Sequence, residues 1–373
     1  MKKKKTGSIL LRTLTITALM APALRLLPGR SAQLAGSACW LSVLAAAPAL
    51  VLTAWFLSEF LKNRGPGEGL AELLRRALGG AGGAVTVLLS LWLLFYCGFI
   101  LRSGADRFVA TVYPGASPLF FSVAMTLSVL PAILGPIKTL IRAARLFWPV
   151  VAAVLGTLIV LALAQADYSK LLPVTFADTV PILSGAVPVI EVTATVMTLA
   201  CFLESGSKKE PGRFGSWVRW LIAPLVILLA LIAAVIGSFG AELTARLSYP
   251  FFALTRAMRV FGSVEHFEAL AAAVWVLPDY VLVSALLAAA SRTLMTTLGY
   301  VRPSREPKLY DMKNGRVIIP LCAAGALLAS AFIAPDAKSL KFFSETLIPY
   351  LNMGVIFILL PLCLAVGKIR KKI

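Results

Sequence analysis

Four ionisable side chains stand within or at the edges of long apolar runs: Arg25, Arg102, Glu191 and Asp279. A charge in hydrocarbon costs on the order of 2.5–3.5 kcal/mol, so each is a candidate for holding something polar. Glu191 follows Ser184-Gly185 and then Val187-Pro188, residues that weaken a helix and free backbone carbonyls. Helices interrupted in this way are tolerated where they line a polar cavity, and they build midplane binding sites. The competing reading is a proline kink whose carboxylate pairs with a neighbouring helix. Ala21-Pro22-Ala23-Leu24 interrupts an earlier run in the corresponding manner, because Pro22 lacks an N–H and disfavours helix at Ala21. Small residues there let a ligand approach the main chain, and the amides of a half-helix N-terminus favour a carboxylate. A simple kink or an early helix end is the alternative. Asp279, between Pro278 and Tyr280, reads equally as a helix-turn cap and as a site residue. Arg25 and Arg102 lie close to an expected membrane boundary, to which long side chains snorkel. Tyr96, before Cys97-Gly98, offers a hydroxyl, and Thr193, Thr195 and Thr198 either bond back to their own helix or face a cavity.

The elements that position these groups follow from composition. Of 373 residues, 59% are apolar and 14% charged, with a mean hydropathy of +0.87; a soluble domain is about 45–50% apolar and about 25% charged. Disorder, collagen and coiled coil are excluded. Ten apolar stretches, each about the length that crosses a bilayer, run over residues 8–27, 38–57, 84–101, 119–134, 146–166, 181–203, 221–241, 269–298, 317–335 and 346–367. The expected fold is therefore an all-α polytopic membrane protein of ten transmembrane helices. The start, Lys2 to Lys5 before Ile9 to Met20, has the layout of a signal peptide. Arg12 interrupts that run and no small-x-small site precedes a soluble domain, so it reads as the first membrane helix.

An even number of crossings puts both termini on one side, and basic residues choose which. Lys2 to Lys5, Lys62 to Arg76, Lys138 to Arg145, Lys208 to Arg219, Arg302 to Arg316 and Lys368 to Lys372 all fall on the N-terminal side; Arg30, Lys170, Arg246, Arg256, Arg259, Lys338 and Lys341 fall opposite. The N-terminal side holds several times as many, which makes both termini cytoplasmic. The net charge of +19 is thus a matter of topology, and no basic segment with stacking aromatics points to nucleic acid. One His and five Cys within apolar runs, without a CxxC pair, imply buried thiols and neither metal nor cofactor. No nucleophile–base or paired-carboxylate constellation suggests an enzyme. Gly79-Gly80-Ala81-Gly82-Gly83 lacks the Lys-Ser/Thr of a phosphate-binding loop and marks a turn entering the third helix. Between Glu242 and Glu268, apolar and basic residues interleave at helical spacing, which suggests a helix lying at the interface.

Two interrupted helices, the first and the sixth, give the form of an inverted-repeat transporter of the amino acid, polyamine and organocation superfamily. The loops narrow this. Ala38-Cys39-Trp40-Leu41-Ser42, Pro66-Gly67-Glu68-Gly69-Leu70, Leu171-Leu172-Pro173-Val174, Pro181-Ile182-Leu183-Ser184-Gly185 and Leu247-Ser248-Tyr249-Pro250, with Arg256, Val264-Glu265-His266-Phe267-Glu268 and Trp275 after them, resemble the spore germination permeases. These are the B-type membrane subunits of nutrient germinant receptors. Where that family commonly has a Gly-Thr-like step in the first helix, this chain reads Thr17-Ala18-Leu19-Met20-Ala21 and adds Arg25.

The resemblance implies one membrane domain, 1–373, with a first five-helix repeat at 8–166 and a second at 179–335 that a tenth helix at 343–367 completes. It implies an integral protein of the spore inner membrane, in contact with membrane lipid. A nutrient, often an amino acid, would sit with its carboxylate at Ala21, Pro22, Ala23 and Leu24 and its amine between Ser184, Gly185 and Glu191, with Tyr96, Thr195 and Asp279 on the cavity wall. It also implies an A-type membrane subunit and a C-type lipoprotein subunit as partners. An autonomous ion-coupled secondary transporter of amino acids or amines uses the same cavity and is the main rival; a scaffold with a vestigial cavity is a third reading.

Overall fold

The computed structural model describes residues 6–62, 68–203, 214–258, 267–300, 314–333 and 336–370, with backbone alone for 6–11, 267, 268 and 337. Lys2 to Lys5 and the Val264-Glu265-His266 motif lie outside the described residues. Helices α1 (Thr6–Ala35) and α2 (Leu41–Lys62) are joined by a 3-10 turn, Gly36–Trp40, and both pack against α7 (Thr179–Leu203), so the chain reverses at that turn. Between α2 and α4 (Gly80–Thr111) lies the short helix α3 (Leu70–Leu78). The chain continues through α5 (Pro118–Leu134), α6 (Ile137–Ala164), α7, α8 (Phe214–Phe239), the short α9 (Ala241–Arg246) and α10 (Pro250–Ala257), α11 (Phe267–Thr297) and α12 (Gly315–Ile333). The last membrane segment is α13 (Ala337–Phe342), α14 (Ile348–Gly354) and α15 (Leu360–Ile369), linked by π-helical stretches at Phe343–Leu347 and Val355–Leu359. Eight apolar helical runs are long enough to cross a bilayer. The first, Arg12–Lys62, is α1 and α2 together, and with the 17-residue α5 the described residues supply the ten expected crossings.

The centre is α7, whose most apolar stretch is 94% buried within the protein, against 28% for α6. Around it stand α1 and α2, while α4 packs on α11 and α12. The α4–α12 contact needs Gly98: a Cβ there would lie 2.6 Å from the Ala329 Cβ and 2.9 Å from the Ala326 carbonyl oxygen. Gly98→Ala is expected to push these helices apart at a cost of about 1–3 kcal/mol, read as a lower unfolding midpoint in detergent.

The expected breaks in the first and sixth membrane helices are not there. α1 is helical straight through Pro22 and Pro28, and α7 through Pro188. An internal proline costs one backbone bond and a steric clash, about 3 kcal/mol, whereas unwinding within lipid or a packed core strands several backbone groups. With both helices packed along their length, the smaller loss wins. The interfacial helix expected between 242 and 268 is also revised. Phe251 and Phe252 of α10 are buried against Trp275, with centroids 5.7 and 6.3 Å away, so α10 folds onto the bundle because its aromatic face finds a partner there.

On the N-terminal side, α3 closes the bundle. Its apolar face, Leu70, Leu73, Leu74 and Ala77, is buried, and Gly79 at φ 60° makes the corner into α4, a conformation that a side chain resists. Glu72 accepts from the buried Arg292 Nε of α11 at 2.8 Å and from Thr296 Oγ1 at 3.2 Å, while Arg370, just past the end of α15, donates to the Leu78 carbonyl. Removing one member of a buried ion pair costs about 3–5 kcal/mol, and replacing both with apolar groups far less. Glu72→Ala is therefore expected to destabilise strongly, and Glu72→Leu with Arg292→Met to recover most of the loss; unfolding midpoints of the two variants check it.

Candidate functional site

Halfway along α7, Glu191 is buried, at 3% exposure, and turned into the bundle. One of its carboxylate oxygens accepts a hydrogen bond from the Asn352 side-chain amide of α14. The Asn352 carbonyl oxygen accepts in turn from the Trp92 indole of α4 at 2.8 Å. One turn further along α4, the buried Tyr96 faces both Asn352 and Glu191, its ring stacked 6.3 Å from that of Phe99. Asn352 sits on a short α-helical piece between two π-helical stretches. Such bulges widen a helix locally and are frequent at functional sites.

Above this cluster, toward the opposite face, Arg25 enters from α1. It is 3% exposed, and none of its three guanidinium nitrogens makes a hydrogen bond with any of the described residues. Its Cζ lies 6.0 Å from the centre of the Phe99 ring, and it is close enough to Glu191, Asp279 and Arg107 to feel their charges. Next comes an ion pair between Arg107 of α4 and Asp279 of α11, both side chains 3% exposed. The Arg107 guanidinium stacks 4.7 Å from the Trp275 ring centre. Beside it, the Tyr249 hydroxyl donates to Asp106 at 2.8 Å. Of these four buried charges, Arg107 and Asp279 meet through one nitrogen and one oxygen, leaving Arg107 Nη1 and Asp279 Oδ1 without a hydrogen bond among the described residues; Glu191 accepts from an amide, and Arg25 has an aromatic ring and the nearby charges but no hydrogen bond among the described residues. Guanidinium and carboxylate thus face one interior from separate helices, an arrangement suited to a guest with an anionic and a cationic end.

The residues expected at the site divide accordingly. Glu191 and Tyr96 are brought together. Ala21, Pro22, Ala23 and Leu24 are buried beside Arg25, but on continuous helix whose amides are engaged. Gly185 is a packing residue: a Cβ on it would meet Ser42 Oγ at 2.4 Å and Ala35 Cβ at 3.0 Å. Ser184 is half-buried next to it. The Thr195 hydroxyl bonds back to the Glu191 carbonyl at 2.7 Å, whereas those of Thr193 and Thr198 are buried without a hydrogen-bond partner among the described residues. Asp279 caps nothing and belongs to Arg107. Arg25 is buried instead of snorkelling, and Arg102 is half-buried on α4. All five cysteines are buried free thiols. Asn352 and Trp92 carry no charge to mark them within an apolar run, and Arg107 lies where α4 continues ten residues beyond the apolar run that ends at Leu101.

The family described as "Spore germination protein" matches residues 8–335. No curated protein matches the chain. Among solved structures, a Na+-coupled sialic acid symporter, substrate-bound and outward-open, aligns over 94% of this chain and 79% of its own, with 13% identity and a TM-score of 0.60. Mhp1, a nucleobase-cation-symport-1 family transporter in a closed conformation with bromovinylhydantoin bound, aligns over 95% and 77%, with 15% identity and a TM-score of 0.61. At such identities the likeness is one of fold.

Proposed function

Because the chain belongs to the spore germination protein family, over residues 8–335, we propose that this integral membrane protein is the nutrient-sensing subunit of a germinant receptor. Its ligand is a small zwitterion such as an amino acid, with the carboxylate on Arg25 and the amine at Glu191. The single observation carrying this reading is the buried guanidinium whose nitrogens make no hydrogen bond with any described residue, placed on the helix next to the one that presents Glu191. In a closed bundle a lone cation is costly, and a bound carboxylate supplies the missing charge-assisted bonds.

The domain is read as two five-helix repeats, 8–166 and 179–335, completed by 343–367, with both termini in the cytoplasm and the chain in the spore inner membrane. Signalling is a shift of population: the nutrient favours one packing of α1 and α7 against α4 and α11, and a ligand equal in affinity for both packings would transmit nothing. An A-type membrane subunit and a C-type lipoprotein subunit read out the change.

Purified chain in liposomes tests the proposal. It should bind a labelled amino acid saturably without accumulating it, and ion release should require the A-type subunit. Net uptake by the chain alone under a proton or sodium gradient would replace sensing with secondary transport.

A further inference from the structure

Along α6 the exposed residues form one stripe that changes character once. Lys138, Arg142 and Arg145 open it, and Leu146, Val150 and Val160 continue it. From Arg145 to the helix end at Ala164 the rise is about 29 Å, close to the thickness of the hydrocarbon layer, and no charged residue follows Arg145 in that length. The three cations therefore stand where phospholipid head groups lie. The half-buried Trp148 is just inside them, at the level that tryptophan favours. Beyond it the protein covers 28% of the most apolar stretch of α6, which leaves the rest of that face to lipid.

Other basic residues at this end of the bundle are engaged by the protein itself. Lys62 and Lys368 share Glu59, Arg76 pairs with Glu68, and Arg75 donates to a backbone carbonyl. Arg142 and Arg145 differ: neither meets a hydrogen-bond acceptor or a carboxylate among the described residues. Three of the helices beside α6, namely α1, α5 and α8, carry no acidic residue at all. Two guanidiniums three positions apart on a helix are neighbours that reach a common point, and their planar forks match phosphate oxygens.

We propose that Arg142 and Arg145, with Lys138 one turn before them, bind the phosphate of an anionic phospholipid whose acyl chains lie along the exposed apolar face of α6. The stripe matches both ends of such a molecule, charge at the head and hydrocarbon along the tail, whereas a soluble anion uses only the first. A zwitterionic head group brings its own cation to the same place and gains less. Because α6 packs on α1, the lipid would brace the helix that carries Arg25. The proposal stands apart from the nutrient reading and does not need it.

The test is native mass spectrometry of the full chain in detergent, titrated with phosphatidylglycerol or with phosphatidylcholine of the same acyl chains. The tightest phosphatidylglycerol site should weaken about 30-fold in Arg142→Gln with Arg145→Gln, while phosphatidylcholine binding changes little. Both side chains are exposed, so the unfolding midpoint of that variant should equal the parent's. Lys62→Gln with Lys368→Gln removes the same charge at the same end of the bundle and should leave the site intact. An equal loss there would reduce the effect to the general field of a basic surface, against the proposal. Displacement of the lipid by glycerol 3-phosphate at matched concentration would make this a soluble-anion site instead. Phosphatidylglycerol binding that is the same in the parent and the arginine variant would overturn the proposal and leave the pair to an acidic protein partner.

Discussion

Replacing Arg25 with methionine is expected to leave the protein at least as stable as the parent while weakening binding of a carboxylate-bearing nutrient by about 100-fold. The two halves of this result have one cause. A guanidinium at this depth costs on the order of 2.5–3.5 kcal/mol, and here no hydrogen bond from the described residues offsets it. Methionine fills comparable volume with no charge to desolvate, so the change removes a penalty; against it stands only the weak attraction to Phe99 and to the carboxylates of Glu191 and Asp279. The ligand, by contrast, loses two charge-assisted bonds of about 1.5 kcal/mol each. Arg25→Lys should fall between, since an ammonium keeps the charge without the planar fork. Thermal unfolding in nanodiscs and equilibrium binding on the same preparations check both halves. A methionine variant that is markedly destabilised would mean that the guanidinium is structural, and the nutrient site would have to be sought elsewhere.

How far these features could be read from the chain depended on the range of the forces involved. The ten crossings were legible because hydrocarbon length and loop charge act locally, needing no knowledge of neighbours. The same holds for the corner at Gly79, where backbone sterics alone demand glycine. Pro22 and Pro188 were read as breaks on local grounds, but whether a proline interrupts a helix depends on what surrounds it. Their neighbours hold both helices continuous. Glu191 and Arg25 could be marked as anomalies from their types; that one has a partner amide and the other none is a property of α14 and α4, far away in the chain. Asn352 is the clearest omission. A neutral amide in an apolar span also carries a desolvation cost, and weighing amides with charges would have singled it out.

Glu191 supplies the second large effect, and two substitutions separate its roles. Glutamine keeps an oxygen that accepts from Asn352, so the chain Trp92–Asn352–residue 191 survives and the amount of folded protein should be unchanged; leucine strands the Asn352 amide donor in the core, at about 1–3 kcal/mol. Loss of the carboxylate should weaken binding of an amine-bearing nutrient by about 10- to 100-fold in both variants, while only Glu191→Leu lowers the unfolding midpoint. Ligand chemistry then locates the defect. If Glu191 holds the amine, Glu191→Gln should bind the amine-free analogue of the same nutrient as the parent does, and Arg25→Met should bind the amide-capped analogue as the parent does. Each variant would be blind to the end of the ligand it no longer recognises. A Glu191→Gln variant equally impaired for the amine-free analogue would place the carboxylate in the packing of the bundle and not in contact with the ligand. A defect that followed the missing charge at both ends would fix the orientation of the nutrient between α1 and α7.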